Sequence, residues 1–203
     1  MRKYIILLLL AICTQLSAEG LGKDTNIKGT AKLNGKDVPM WFNVTGTDVV
    51  VVGNGKNAAI SQYSEGKLVV PANIVNPADK RRYKVEKVAN FAFSLCSKLT
   101  SVTLEEGIKE IGENAFTGCN ALQTIGYPAS LTAIGRGAFA GCSQLRHAQL
   151  PENLASIGQE TFAGNQFADN KVILPIKVAA IPIAAFDGCK LQMAILPPTL
   201  KSI

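Results

Sequence analysis

The stretch IGENAFTGC at residues 111–119 returns as IGRGAFAGC at residues 134–142, and the near-identity decides the fold. Phenylalanines fall at Phe93, Phe116, Phe139, Phe162 and Phe186, at intervals of 23, 23, 23 and 24. Val88, Ile111, Ile134, Ile157, Ile181 and Ile203 keep the same time, with a last step of 22. A fixed period of this length is the signature of stacked structural repeats, and it outranks any reading of single elements. Two further columns keep step. One is the pair Val102 and Leu104, continued by Ile125 and Tyr127, Ala148 and Leu150, Val172 and Leu174, and Ala194 and Leu196; the other is Ile108, Leu131, Leu154, Val178 and Leu200. One residue is gained near NQFADN (165–170) and one lost at CKLQ (189–192), so the register recovers.

Within a turn, segments such as LTSVTL (99–104) alternate apolar and polar residues, which predicts a short strand with one buried face. The AF pair is expected in at most two helical turns, ended by Gly118, Gly141, Gly164 and Gly188, where a residue free to adopt a left-handed conformation stops a helix. Gly112, Gly135 and Gly158 mark the other corner. Pro128, Pro151, Pro175 and Pro197 follow the strand and end it, because proline donates nothing to a ladder. One such turn cannot bury its apolar face alone, so neighbouring turns must stack. At about 4.8 Å per rung, five turns make a rod about 24 Å long.

The motif C-x-x-L-x-x-V-x-L (96–104), followed by I-x-x-I-G-x-x-A-F-x-x-C (108–119), resembles the BspA-type leucine-rich repeat, common in surface and secreted proteins of Bacteroidetes and found in some protozoan parasites. The resemblance covers residues 66–203. The run from MWFNVTGTDVVVV (40–52) to GKLVVPANIV (66–75) resembles the strand-rich start of such proteins. The resemblance implies a right-handed leucine-rich-repeat solenoid with a parallel sheet on one face, and non-enzymatic binding, often adhesion to host or neighbouring cells. The periodicity sets about five turns of 22–24 residues. Thr161 for alanine, Asn165 for cysteine and Pro182 for glycine depart from the pattern.

Residues 88–203 are thus the repeats, with no evident C-terminal cap, and residues 19–87 form a β-rich N-terminal cap. In it Leu68 and Val70 occupy the strand positions of a degenerate first turn, and an insertion of 11 residues containing NPADKRR (76–82) precedes the next strand. A cap is expected because an open solenoid end exposes apolar side chains and unpaired backbone.

The first twenty residues, MRKYIILLLLAICTQLSAEG, carry Arg2 and Lys3, then an apolar run over residues 4–13 too short to span a bilayer, then small and polar residues. This predicts a signal peptide, residues 1–18, cut after Ala18. The alternative is lipidation at Cys13, which would tether the chain to a membrane. Either route exports it, to the extracellular space or cell surface in preference to the periplasm.

Removing Arg2 and Lys3 lowers the formal charge from +6 to +4. Residues 19–88 hold 11 Lys and Arg against 7 Asp and Glu, whereas residues 89–203 hold 8 against 8. The excess clusters at Lys80, Arg81, Arg82, Lys84 and Lys87. It reads first as a solvated loop and edge strand whose charges discourage sheet extension, and second as a site for acidic glycans or lipid headgroups. Nucleic acid is excluded as a partner by export and by the lack of interleaved aromatic residues.

Cys96, Cys119, Cys142 and Cys189 recur at the repeat spacing, which is the spacing of a stack rather than of a zinc site. Stacked side chains lie about 4.8 Å apart, beyond the usual Cβ separation of a disulfide, so a buried thiol ladder is expected ahead of disulfides or a metal. His147 stands alone on the outward side of its strand. Glu105, Glu106, Glu110 and Glu113 read as solvated carboxylates. NVT at residues 43–45 is a glycosylation sequon in a eukaryotic host. No phosphate loop, dinucleotide fingerprint or hydrolase elbow appears, and neither an enzymatic activity nor a cofactor is expected.

The outward strand positions are where function is expected: Ser101 and Thr103, Thr124 and Gly126, His147 and Gln149, Lys171 and Ile173, Met193 and Ile195. Side chains between buried ones form a continuous surface free of packing constraint. The first three rungs are small or polar and the last two apolar, so Ile173, Met193 and Ile195 would make an interaction patch. The expected partner is a macromolecule, protein or glycan, of a host or neighbouring cell. The alternative is an accessory module of an envelope assembly, self-associating through an uncapped C-terminal end.

Overall fold

The computed structural model describes residues 26–46, 49–53 and 58–203. The expected leader and Cys13 lie outside the described residues. Fourteen strands follow in chain order: β1 (Asn26–Leu33), β2 (Lys36–Val44), β3 (Val49–Val52), β4 (Gly66–Val70), β5 (Asn73–Val75), β6 (Arg82–Val88), β7 (Leu99–Leu104), β8 (Glu110–Ile111), β9 (Thr124–Gly126), β10 (Ala133–Ile134), β11 (Ala148–Gln149), β12 (Ser156–Ile157), β13 (Lys171–Ile173) and β14 (Met193–Ile195).

The period seen in the sequence is the pairing register. Val102 pairs with Ile125 across β7 and β9, and Ile111, Ile134 and Ile157 align across β8, β10 and β12, all in parallel. The first three turns therefore each contribute an outward-facing strand and a two-residue strand of a second ladder, which past β12 continues only as the bridge between Ala180 and Ser202. Leu68 pairs with Val102, an offset of 34 residues, as the insertion requires. The insertion itself is the β5–β6 hairpin. Strands β1 to β3 join the two ladders. Strand β1 runs antiparallel to β4, β3 runs parallel to β6, and an eleven-stranded sheet results in the order β12-β10-β8-β6-β3-β2-β1-β4-β7-β9, with β5 on β6.

Two expectations fail here. Strand β6 is not an edge strand, since it pairs with β3, β5 and β8. The AF segments are turns, and no helix occurs among the described residues. The reason is competition for the amide protons. Phe93 N–H donates to Ala115 O at 2.8 Å, Phe116 N–H to Ala138 O at 2.8 Å and Phe139 N–H to Thr161 O at 2.9 Å, one turn onward. Between them Cys96, Cys119 and Cys142 N–H donate back three residues to the Phe carbonyls, each at 3.2 Å. Alternating cross-turn and local bonds leave no continuous run for a helix to propagate along.

Both glycine columns follow from the stacking. Gly118, Gly141, Gly164 and Gly188 sit at φ of +68° to +74°, the left-handed region; in the first turn Leu95 holds this conformation, at φ +60°. Gly135 meets a different constraint. A Cβ there would stand 2.7 Å from Glu113 N and 2.8 Å from Gly112 C, so successive corners approach closely as bare backbone.

The core is one column per repeat position. The rings of Phe93, Phe116, Phe139, Phe162 and Phe186 stack at 5.0 to 5.6 Å between centroids, within 13° of parallel. The four cysteines among the described residues are free thiols; Cys96, Cys119 and Cys142 are buried and Cys189 is half-buried. Each from the second turn on donates to the preceding turn's Phe carbonyl: Cys119 Sγ to Phe93 O at 3.1 Å, Cys142 Sγ to Phe116 O at 3.2 Å, Cys189 Sγ to Phe162 O at 3.0 Å. Asn165 keeps the bond with its amide, donating to Phe139 O at 3.0 Å. The position thus asks for a compact buried donor, which cysteine and asparagine both supply. Burial pushes the Cys96 and Cys142 thiols up to about 12 and raises Cys119 and Cys189 as well, so all four are held as thiols.

Three of the four carboxylates expected to be merely solvated tie turns together. Glu105 accepts from Ala72 N–H at 2.9 Å, Glu106 from Ala129 N–H at 2.7 Å, and Glu110 from Lys87 Nζ at 2.6 Å.

Candidate functional site

The outward positions fall into two stretches. Ser101 pairs with Thr124, and Thr103 with Gly126, on the large sheet, where Thr124 Oγ1 donates to Ser101 Oγ at 2.9 Å. Strands β11, β13 and β14 form a separate three-stranded sheet, with Gln149 opposite Ile173, Lys171 opposite Met193 and Ile173 opposite Ile195. Between β9 and β11 a backbone bond remains, from Arg146 N–H to Gln123 O at 3.0 Å, but no ladder. The strand surface is therefore broken where a continuous one was expected.

Past the break lies an open groove of about 640 Å³, lined by His147, Gln149, Glu152, Asp169, Lys171 and Ile173, with Leu150, Pro175 and Ile176. Four of these, His147, Gln149, Lys171 and Ile173, are outward positions singled out from the sequence. Met193 and Ile195 continue the surface beyond it, 53% and 45% exposed, beside Ile173 at 50%. Ser101, Thr103 and Thr124 lie outside the groove lining.

His147 is not solitary. Its Nδ1 lies 3.1 Å from Asp169 Oδ2, and Lys171 N–H donates to the other oxygen of Asp169 at 3.4 Å. Partial desolvation pushes the Asp169 carboxyl up, but the bonds from His147 and Lys171 outweigh it, and the group titrates below its ordinary value. Asp169 comes from NQFADN, whose extra residue was legible only as a shift in register. The same insert buries Phe167 edge-on against Phe162, with centroids 5.9 Å apart. Phe167 anchors the loop, and two residues later Asp169 faces His147. Chemically the groove offers one ammonium, an imidazole, two carboxylates, an amide and a flank of aliphatic side chains, a set suited to holding a polar chain with an apolar group.

The basic cluster is partly spent on the fold. Lys87 pairs with Glu110, and the Arg81 guanidinium lies 5.6 Å from the centre of the Tyr83 ring. Lys80, Arg82 and Lys84 are exposed on the β5–β6 hairpin. Trp41 drew no notice in the sequence. It is 40% exposed on β2, directly opposite Lys28 on β1, with the Lys28 ammonium 5.9 Å from the ring centre.

The repeat geometry agrees with a direct match to a family model. The model for the BspA type leucine rich repeat region matches in six copies, over residues 80–192 and 166–203. The chain belongs to the BspA-type leucine-rich repeat family. Solved structures of the same fold include a leucine-rich repeat protein from Bacteroides ovatus, 28% identical, with a TM-score of 0.66 over 79% of this chain. A leucine rich cell surface protein from Faecalibacterium prausnitzii is 22% identical, with a TM-score of 0.62 over 84% of the chain. The pneumococcal vaccine antigen PcpA is 20% identical, with a TM-score of 0.61 over 79% of the chain. The chain spans 40%, 43% and 49% of these three proteins, less than half of each. No curated protein matches it.

Proposed function

We propose that this is an exported, non-enzymatic binding protein of the cell surface, which holds a protein or glycan of a host or neighbouring cell on its strand face. The observation that carries the reading is the groove: His147, Gln149, Lys171 and Ile173, picked out by position in the repeat, line one concavity, and Met193 and Ile195 extend it as an apolar shelf. The scaffold in this reading is a right-handed solenoid of about five turns of 22–24 residues over 88–203. Residues 19–87 cap it, and residues 1–18 are removed on export. The descriptions of the Faecalibacterium protein as a cell surface protein and of PcpA as a vaccine antigen fit the same placement. Binding needs no cofactor.

The test replaces Lys171, Ile173, Met193 and Ile195 with serine and measures binding to a panel of immobilised extracellular-matrix proteins and glycans, together with the circular-dichroism melt. The expected result is loss of the bound panel member with the melt nearly unchanged. Unchanged binding refutes the site.

A second reading has its own observation. Met193, Ala194 and Ile195 of β14 are all exposed, which suits docking to another copy or to an envelope partner. Concentration-dependent self-association in sedimentation favours that accessory role, and a clean monomer removes it.

A further inference from the structure

A second surface lies on the outward face of the N-terminal strands. Along β1, β2, β3 and β6 the buried residues alternate with outward ones, and the outward set contains Lys28, Trp41, Asn43, Val51, Val49, Lys84 and Arg82. The registers place them in one path. Lys28 pairs with Trp41, Asn43 two residues on pairs with Val51, and Val49 pairs with Lys84. Three strand spacings across and four residues along make the path from Lys28 to Lys84 roughly 20 Å. The carboxylates described on these strands, Asp37 and Glu86, are already paired with Lys32 at 2.8 Å and Lys109 at 2.9 Å. What remains is an extended strip with cations at both ends and an indole near one of them.

We propose that this strip, Lys28–Trp41–Lys84–Arg82, binds a linear acidic polysaccharide. A flat, extended ligand with spaced negative charges and apolar ring faces is what the strip complements. Trp41 offers an aromatic face to the C–H side of a sugar ring, and Lys28, within reach of the indole, meets the anionic group of that unit. Lys84 and Arg82 take the charges of units further along, Arg82 with a fork suited to two oxygens. An anionic membrane is the poorer match. A bilayer rewards apolar side chains that protrude past the cations, whereas Trp41 lies 60% covered in the sheet surface and Val49 and Val51 are half-buried.

The test is calorimetric titration of the purified protein with heparin, with neutral dextran and phosphatidylglycerol vesicles as comparisons, at low and at 0.5 M salt. The expected result is salt-sensitive binding to heparin, none to dextran, and little to vesicles. Trp41→Ala should weaken heparin binding about tenfold, Trp41→Phe should retain most of it, and the triple variant K28Q/R82Q/K84Q should abolish it. The K171S/I173S/M193S/I195S variant should bind heparin as the parent does, which separates this strip from the groove. Absence of heparin binding overturns the proposal. So does tighter binding to vesicles than to heparin, or a triple variant as good as the parent. A Trp41→Ala variant that folds and binds unchanged overturns it as well.

Discussion

Asn165 occupies the one interior repeat position where cysteine is replaced, and returning it to cysteine should stabilise the protein. The asparagine amide donates to Phe139 O at 3.0 Å, a bond that the neighbouring thiols make at 3.0 to 3.2 Å. Its carbonyl Oδ1, however, is buried without a hydrogen-bond partner. A buried polar atom left unmet costs about 1–3 kcal/mol. Asn165→Cys removes that atom and keeps a donor of similar reach, although a thiol donates more weakly than an amide. The net gain should be about 1 kcal/mol, which in a chain of this size raises the thermal midpoint by roughly 2–4 °C. The assay is urea and thermal unfolding under reducing conditions, by circular dichroism, on the parent, Asn165→Cys and Asn165→Ala. The alanine variant loses the bond to Phe139 and leaves a void, so it should fall below the parent. An Asn165→Cys variant less stable than the parent, or an alanine variant more stable than both, would refute the claim that this position selects a compact donor for the Phe carbonyl.

Three further outcomes are expected. Gly135→Ala should destabilise by about 2 kcal/mol or more in urea titration, because its Cβ would press on the backbone of Gly112 and Glu113, which cannot swing aside. Leu95→Gly should stabilise by up to ~1 kcal/mol in the same assay: Leu95 holds φ at +60° while 58% exposed, so the strain relieved exceeds the little burial lost. Asp169 has a lowered folded pKa, so its stabilising bonds are present above the ordinary carboxylate range and are lost as pH falls through the folded value. Asp169→Asn should therefore flatten the acid limb of the stability profile below about pH 4.

The columns were legible in the sequence because a stack forces each turn to meet the same neighbours, so Phe93 to Phe186 had to recur in register. Properties set by contacts between turns were less so. The AF segments carry a helix-compatible pattern, but their amide protons go to the next turn, a partner no single repeat reveals. Glu105 and Glu106 looked like surface carboxylates until their targets, Ala72 and Ala129, proved to lie 33 and 23 residues away. The β1–β2 hairpin was missed although its signal was present. Asn34 and Gly35 both adopt positive φ, 50° and 79°, the two-residue turn that Asn-Gly favours between alternating strands. At the site, the outward positions followed from the alternation, and four of them do line the groove. Asp169 was invisible as a partner of His147 because it arrives on an inserted residue, outside the columns.

Whether this chain works outside the cell is decided by protease accessibility on intact cells that natively produce it. Digestion of the protein on intact cells, with an internal marker protected, is the expected result. Protection until the cells are lysed would contradict it, and would leave the envelope-docking reading of β14 in its place.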